Sequence, residues 1–261
     1  MSPGPERPLL EVESLSRFYG SVVGCTHISF HLWPGEILGI VGESGSGKTT
    51  VLKCVSGRMV PSEGSVHYRS LEYGRVDLYD KALSLKRRIM RTEMGFVHQN
   101  ARDGLRMRIS AGGNIGERLL ANGARHYGRI RGQALEWLER VEIETARIDD
   151  PPATFSGGMQ QRLQIARNLV TSPRLLFMDE PTSGLDVSVQ ARLLDILRRL
   201  VMELGLSMLI VTHDLAVARL LAHRLFVMKS GEVVETGLTD QVLDDPQHPY
   251  TQLLVSSILP P

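Results

Sequence analysis

Cysteine is almost absent from this chain: Cys25 and Cys54 are the only two among 261 residues. Two thiols in no metal-type spacing exclude a disulfide framework and a structural metal site built on sulfur. They read as two buried free thiols in a reducing compartment. An excess of either charge is also lacking. Thirty Lys and Arg face 29 Asp and Glu, for a formal charge of +1, so bulk electrostatics give no reason to expect a nucleic-acid partner. No apolar run approaches the roughly 20 residues that a spanning helix needs, so any membrane part is expected on another chain. Residues 1–8 lack the basic-then-apolar order of a signal peptide. Internal repeats and low-complexity tracts are missing as well. What is present is an ordinary 42% of hydrophobic residues, enough for a sizeable core.

The apolar pattern alternates between short runs and helical stretches. Residues 9–15 and 28–33 read as strands, with turn signals at Tyr19-Gly20 and Pro34-Gly35. Residues 36–41 (EILGIV) read as a buried parallel strand. Residues 42–49 form the loop after it, and residues 50–57 continue as a helix. Residues 65–78 are β-like. From Lys81 to about Val170 the period turns helical, with Leu135, Leu138 and Val141 on one face around Trp137. This stretch reads as an inserted helical lobe, entered near Gln99 and left near Ser156. Residues 174–179 and 207–212 are further apolar runs following helical segments, as βαβ units require. Residues 225–237 read as a hairpin turned at Lys229-Ser230-Gly231. Residues 239–254 read as a helix, a DDPQHP break and a second helix.

Residues 42–49, GESGSGKT, match G-x-x-x-x-G-K-[ST] in full, between a buried strand and a helix. Gly42, Gly45 and Gly47 let the backbone curl so that successive N–H groups face phosphate oxygens. The following helix turns its positive end to the same anion. Lys48 is expected to reach the β- and γ-phosphates as a point charge, and Thr49 to offer its hydroxyl to Mg²⁺. Ser44 and Thr50 complete the set of candidate phosphate contacts. A second motif, LLFMDE at 175–180, is an apolar strand ending in two carboxylates. Asp179 is expected to face the Mg²⁺ and Glu180 to hold and polarise a water. A third, FSGGMQQR at 155–162, opens a helix that Ser156 can cap, with Gly157 and Gly158 permitting close approach of a ligand.

With these three motifs in order, the chain resembles the ABC ATPases, whose signature is of the Leu-Ser-Gly-Gly-Gln type. Phe155 and Met159 depart from that pattern. The resemblance extends to Tyr19, matching the aromatic that stacks on adenine, and to Gln99, matching the glutamine that opens the helical lobe. Ser183-Gly184-Leu185-Asp186 matches the loop after the acidic motif, and His213 the switch histidine. Taken alone, Tyr19, Gln99 and His213 would be ordinary residues; their order gives them weight. His98, His126 and His223 lack such support and read as structural.

The resemblance implies a P-loop NTPase fold of the α/β class. It would have a mixed-sheet core at about 1–98 and 170–240, an antiparallel β subdomain, a helical lobe at about 99–169 and a tail at about 241–261. It also implies ATP and Mg²⁺ as ligands, with Thr49, Gln99 and Asp179 around the metal. Glu180, His213 and Gln99 would be catalytic, and Ser156, Gly157 and Gly158 would face the ATP of a second subunit, identical or not. The tail at 244–254 resembles the oligopeptide/nickel importer ATPases, which would imply a membrane permease as partner. The stretches Arg91-Thr92-Glu93, Asp103-Gly104-Leu105-Arg106, 109–118, 123–128 and Arg147-Ile148-Asp149-Asp150 resemble the ATP-binding subunits of phosphonate-utilisation (carbon–phosphorus lyase) systems, which would imply a soluble lyase core. The location implied is cytoplasmic, or peripheral to the inner membrane for a transporter subunit. Arg102, Asp103, Arg106, Arg108, Glu117 and Arg118 surround a Gly112-Gly113 pair expected to be flexible. That composition favours a polar, salt-sensitive contact. A nucleic-acid-linked ATPase is not expected, because there is one cassette and no basic tract.

Overall fold

The computed structural model describes residues 7–80 and 83–258. The readings for residues 1–6 and for a helical start at Lys81 lie outside them. The chain runs β1 (Leu10–Tyr19), β2 (Val22–Leu32), β3 (Ile37–Val41), α1 (Lys48–Val55), β4 (Glu63–Ser70), β5 (Gly74–Asp77) and α2 (Leu83–Thr92). Next come β6 (Met94–Val97), α3 (Ala101–Gly104), α4 (Ala111–Ala121), α5 (Tyr127–Arg140), α6 (Gly157–Leu169), β7 (Leu175–Asp179) and α7 (Val187–Leu204). Last are β8 (Ser207–Val211), α8 (Leu215–Leu221), β9 (Arg224–Lys229), β10 (Glu232–Leu238), α9 (Thr239–Asp244) and α10 (Pro249–Ile258). No helix among the described residues is long and apolar enough to cross a membrane. Two compact units emerge, one up to Arg87 and again from Gly205, the other Arg88–Leu204.

In the first unit, an antiparallel sheet has the order β2-β1-β4-β5. The β1–β2 hairpin closes at Tyr19↔Val22, with Gly20 at positive φ in the turn. A second group places β3 between β8 and β9, parallel to both. All five residues of β3 are buried, which is why the run is apolar without alternation. β10 returns antiparallel on β9 from a two-residue turn between Lys229 and Glu232. Ser230 and Gly231 both have positive φ there, the backbone a tight hairpin requires. His223 is structural, as expected: its Nδ1 accepts from the Ile37 N–H at 3.1 Å.

In the second unit, β6 and β7 run parallel with Val97 opposite Met178. β6 corrects the sequence reading, which continued the helical pattern through it. Four residues are too few to show a period, and Met94-Gly95-Phe96-Val97 becomes a strand by pairing with β7. The remaining lobe is helical. In α5, Ala134, Trp137 and Leu138 are buried. His126 caps α5, its Nδ1 accepting from the Arg129 N–H at 3.2 Å.

The Gly112-Gly113 pair is a further correction: both residues lie inside α4. Ser110 caps that helix, accepting from the Gly113 N–H at 3.1 Å. A Cβ on Gly112 would stand 2.6 Å from Ile148, so this glycine permits close packing, not motion. The loop before α4 is pinned by fully buried Asn114. Its Oδ1 accepts from the Arg106 N–H, and its amide donates to the carbonyls of Arg106, Ile109 and Ser110.

Candidate nucleotide site

In the first unit the phosphate loop leaves the C-terminal end of β3, beside β8, where parallel sheets present ligands. Its glycines are dictated by geometry. Gly42 and Gly47 have φ of 147° and 100°, and a Cβ on either would sit 2.2 Å from a backbone carbonyl, of Met228 and Gly24 respectively. No side chain caps α1, whose N-cap is Gly47 in the left-handed region. The first-turn N–H groups of Lys48, Thr49 and Thr50 are therefore presented together, as anion binding needs. Lys48 is buried, and its Nζ donates to the carbonyls of Gly42 at 2.8 Å and Glu43 at 2.7 Å. Ser44 and Gly45 are exposed at the crest of the loop, with Gly45 at φ 82°.

Tyr19, 43% exposed, ends β1. Its hydroxyl is 3.4 Å from Thr50 Oγ1 and donates to Met59 Sδ at 3.0 Å. Gly24 lets the ring lie close, since a Cβ there would be 2.6 Å from Tyr19 Cε2. A part-exposed aromatic ring thus stands beside the helix that carries Lys48, Thr49 and Thr50, with the Arg17 guanidinium over it, 5.1 Å from the centroid. His213 is exposed on the segment after β8. That segment is held by the Thr212 N–H on the Ile40 carbonyl and by Asp214, which caps α8.

In the second unit, the β6–β7 register explains how Gln99 meets the acidic pair. Val97 lies opposite Met178, so two residues further on Gln99 and Glu180 emerge side by side. Gln99 Nε2 is 3.3 Å from both Glu180 Oε2 and Ser183 Oγ. Asp179 is buried at the end of β7. Glu180 has a φ of 41°, a left-handed backbone that costs a non-glycine residue about 1–2 kcal/mol. Strain of this kind gathers at functional sites.

Ser156 caps α6 through its Oγ, which accepts from the Met159 N–H at 3.3 Å. Gly157 is exposed, whereas Gly158 is buried against Val189, which a Cβ would meet at 2.3 Å. The two departures from the signature are accommodated. Phe155 is buried beneath the Arg147 guanidinium, 4.4 Å from the ring centroid, and Met159 Sδ accepts from Arg147. A pocket of about 300 Å³ is lined by Gln99, Ala101, Gly157, Gln161, Ser183 and Leu185 among others.

Sequence reading missed the side chains that hold this arrangement. Fully buried Gln164 accepts the His98 N–H at 2.6 Å and donates to the His98 carbonyl at 3.1 Å. Gln161 donates to the same carbonyl at 3.2 Å. The signature helix thereby grips the backbone next to Gln99. These partners are far apart in sequence, and no local pattern marks them. Gln164→Leu leaves the His98 N–H without its acceptor while Gln161 still serves the carbonyl. Stability should fall by about 1–2 kcal/mol, read by urea denaturation. A change under about 0.5 kcal/mol, the range of an ordinary surface substitution, would refute this account of the grip.

Comparison with known proteins identifies the family. A family model described as ABC transporter matches residues 25–183, and one described as oligopeptide/dipeptide transporter, C-terminal region, matches residues 234–261. The chain is 66% identical to the putative phosphonates utilization ATP-binding protein PhnK of Escherichia coli K12, over 97% of this chain and 98% of that protein. It is 35% identical to the dipeptide transport ATP-binding protein DppF of the same organism, over 97% of this chain and 77% of that one. The dimeric post-hydrolysis structure of the ATP-binding cassette MJ0796 bound to ADP and Pi aligns with a TM-score of 0.79. Its identity is 30%, over 88% of this chain and 98% of that one. With the glycine-dictated phosphate loop, the Gln99–Glu180 pair and the capped Ser-Gly-Gly helix, these matches establish that the chain belongs to the ABC transporter family and is an ATPase.

Proposed function

We propose that this ATPase serves organophosphonate breakdown, driving conformational change in a soluble carbon–phosphorus lyase complex as one half of an ATP-bound dimer. The observation that carries this reading is the 66% identity along nearly the whole of a phosphonate-utilisation relative. Peptide-transport relatives stand at 35–39%. The importer reading keeps one observation of its own, the tail match at residues 234–261.

In the proposed mechanism Tyr19 stacks on adenine, and Gly42, Ser44, Gly45, Gly47, Lys48, Thr49 and Thr50 hold the phosphates. Ser156, Gly157 and Gly158 of a second subunit close over the γ-phosphate, bringing a capped helix N-terminus to the anion. Glu180 holds and polarises the attacking water, and His213 keeps the γ-phosphate in line. Thr49, Gln99 and Asp179 offer only oxygen donors if Gln99 uses its amide oxygen, a set that suits a hard dication such as Mg²⁺. When bound, Mg²⁺ would supply neutralisation of the phosphate charge. Catalysis by the chain is then positioning and electrostatics.

Docking through the lobe needs revision in its residues. Arg106 and Glu117 form an ion pair at 2.5 Å, Arg167 joins Glu117 at 3.1 Å, and Arg118 donates to the Met94 carbonyl. These groups serve the lobe itself. Arg102, Asp103 and Arg108 are exposed and make no ion pair among the described residues. They are the better candidates for a polar partner contact. In pull-downs from detergent-free lysate, lyase subunits identified by mass spectrometry should be recovered at low salt. Recovery should fall at high salt and with Arg102→Glu and Arg108→Glu, each by roughly fivefold, on the order of 1 kcal/mol. Recovery of a permease alone, from solubilised membranes, would replace this reading with the importer one.

A further inference from the structure

The tail segment DDPQHPYTQLL has no role in the mechanism above, yet it reaches the phosphate loop. Tyr250, on the first turn of α10, is 5% exposed. Its phenol oxygen accepts the backbone N–H of Glu43 at 3.0 Å. The carbonyl of the same residue accepts from Lys48 Nζ at 2.7 Å. Glu43 thus joins Tyr250 on one side of its backbone to Lys48 on the other. At the far side of the loop the Gly231 N–H donates to the Ser46 carbonyl at 3.0 Å. The turn that contains Gly231 also sends Lys229 over the Tyr250 ring, with Nζ 4.9 Å from its centroid. The tail is itself anchored. The two carboxylate oxygens of Glu235 accept the N–H groups of Gln247 at 2.8 Å and His248 at 2.9 Å.

We infer that Tyr250 is a positioning residue for ATP binding: its hydroxyl holds the Glu43 peptide, and so sets the course of the phosphate loop toward Lys48. The inference rests on the reading that residues 42–49 hold the phosphates of ATP. One hydrogen bond in a loop that must present several N–H groups in one direction contributes preorganisation, and its loss appears as weaker binding. The groups proposed to activate water lie elsewhere in the sequence, so turnover at saturation is spared.

Tyr250→Phe removes only the hydroxyl and keeps a ring beneath Lys229. In the full-length protein it should raise both the Kd for ATP and the KM by about three- to tenfold, the size of one hydrogen bond. The value of kcat should stay near that of the wild type. Thr251→Val is the comparison, because Thr251 is the buried neighbour of Tyr250 in α10 and its hydroxyl makes no hydrogen bond among the described residues. It changes the same turn of α10 without removing a bond to the loop, so Kd and KM should stay at the wild-type values whatever its effect on Tm. Tyr250→Phe with wild-type Kd and KM, or Thr251→Val raising KM equally, overturns the inference. Lys48→Ala separates the two levels. If it binds ATP normally, the reading of the loop fails; if it loses ATP while Tyr250→Phe binds normally, only the role of Tyr250 fails.

Discussion

Glu180→Gln should abolish ATP turnover, by about 10²–10⁴-fold as for loss of a general base, while ATP is still bound. The substitution keeps the size of the side chain and an oxygen that Gln99 Nε2 can reach, now 3.3 Å away. The backbone at 180 is already in the left-handed region, and Gln meets the same strain there as Glu, so the fold is retained. What disappears is the negative charge proposed to polarise water. Removing it also removes a repulsion on the triphosphate, so ATP affinity should be equal or higher. The ATP-bound protein should then accumulate as a stable dimer, seen by light scattering after gel filtration with ATP and Mg²⁺. Hydrolysis at the wild-type rate would show that another group activates the water.

Ser156→Arg should leave one subunit's nucleotide affinity nearly intact and reduce turnover by at least about a hundredfold, the scale of removing a transition-state anion donor. Ser156 is exposed, and its structural duty is the α6 cap. Losing that cap costs about 1 kcal/mol, which lowers Tm without unfolding the protein. Ser156→Asp sharpens the test. Aspartate caps as well as serine, so Tm should hold, yet its charge opposes the γ-phosphate of a facing subunit and ATP-driven dimerisation should fail. If wild-type turnover per subunit were unchanged on dilution to concentrations where only monomer exists, the composite site would be ruled out. Ser156→Asp turning over normally would do the same.

Much of the candidate site is legible in the sequence because its chemistry demands particular residues at short spacing. Gly42 and Gly47 are readable since G-x-x-x-x-G-K-[ST] between an apolar run and a helix is a local pattern, and their φ of 147° and 100° is one that L side chains rarely adopt. Ser156 is readable since a capped helix start is a local event. The β9–β10 turn is readable for the same reason. β6 was not, because a four-residue strand acquires its identity from β7 across many intervening residues. Nor was the rigidity of Gly112-Gly113, since the sequence cannot show that Ile148 packs where a Cβ would go.

Local chemistry therefore marked within the sequence itself which glycine-rich loop runs into the Lys48 helix, which strand ends in carboxylates and which helix opens on Ser-Gly-Gly. Those are properties of neighbouring residues, governed by allowed dihedrals and by the donors and acceptors each side chain brings. The tertiary structure alone decided the pairings between distant segments. It put Gln99 beside Glu180 through the β6–β7 register, bound His98 to Gln164, paired Arg106 with Glu117, and set the Tyr250 hydroxyl on Glu43. These contacts depend on how buried surfaces fit together, and a hydrogen bond between residues 207 positions apart leaves no periodic or compositional trace along the chain.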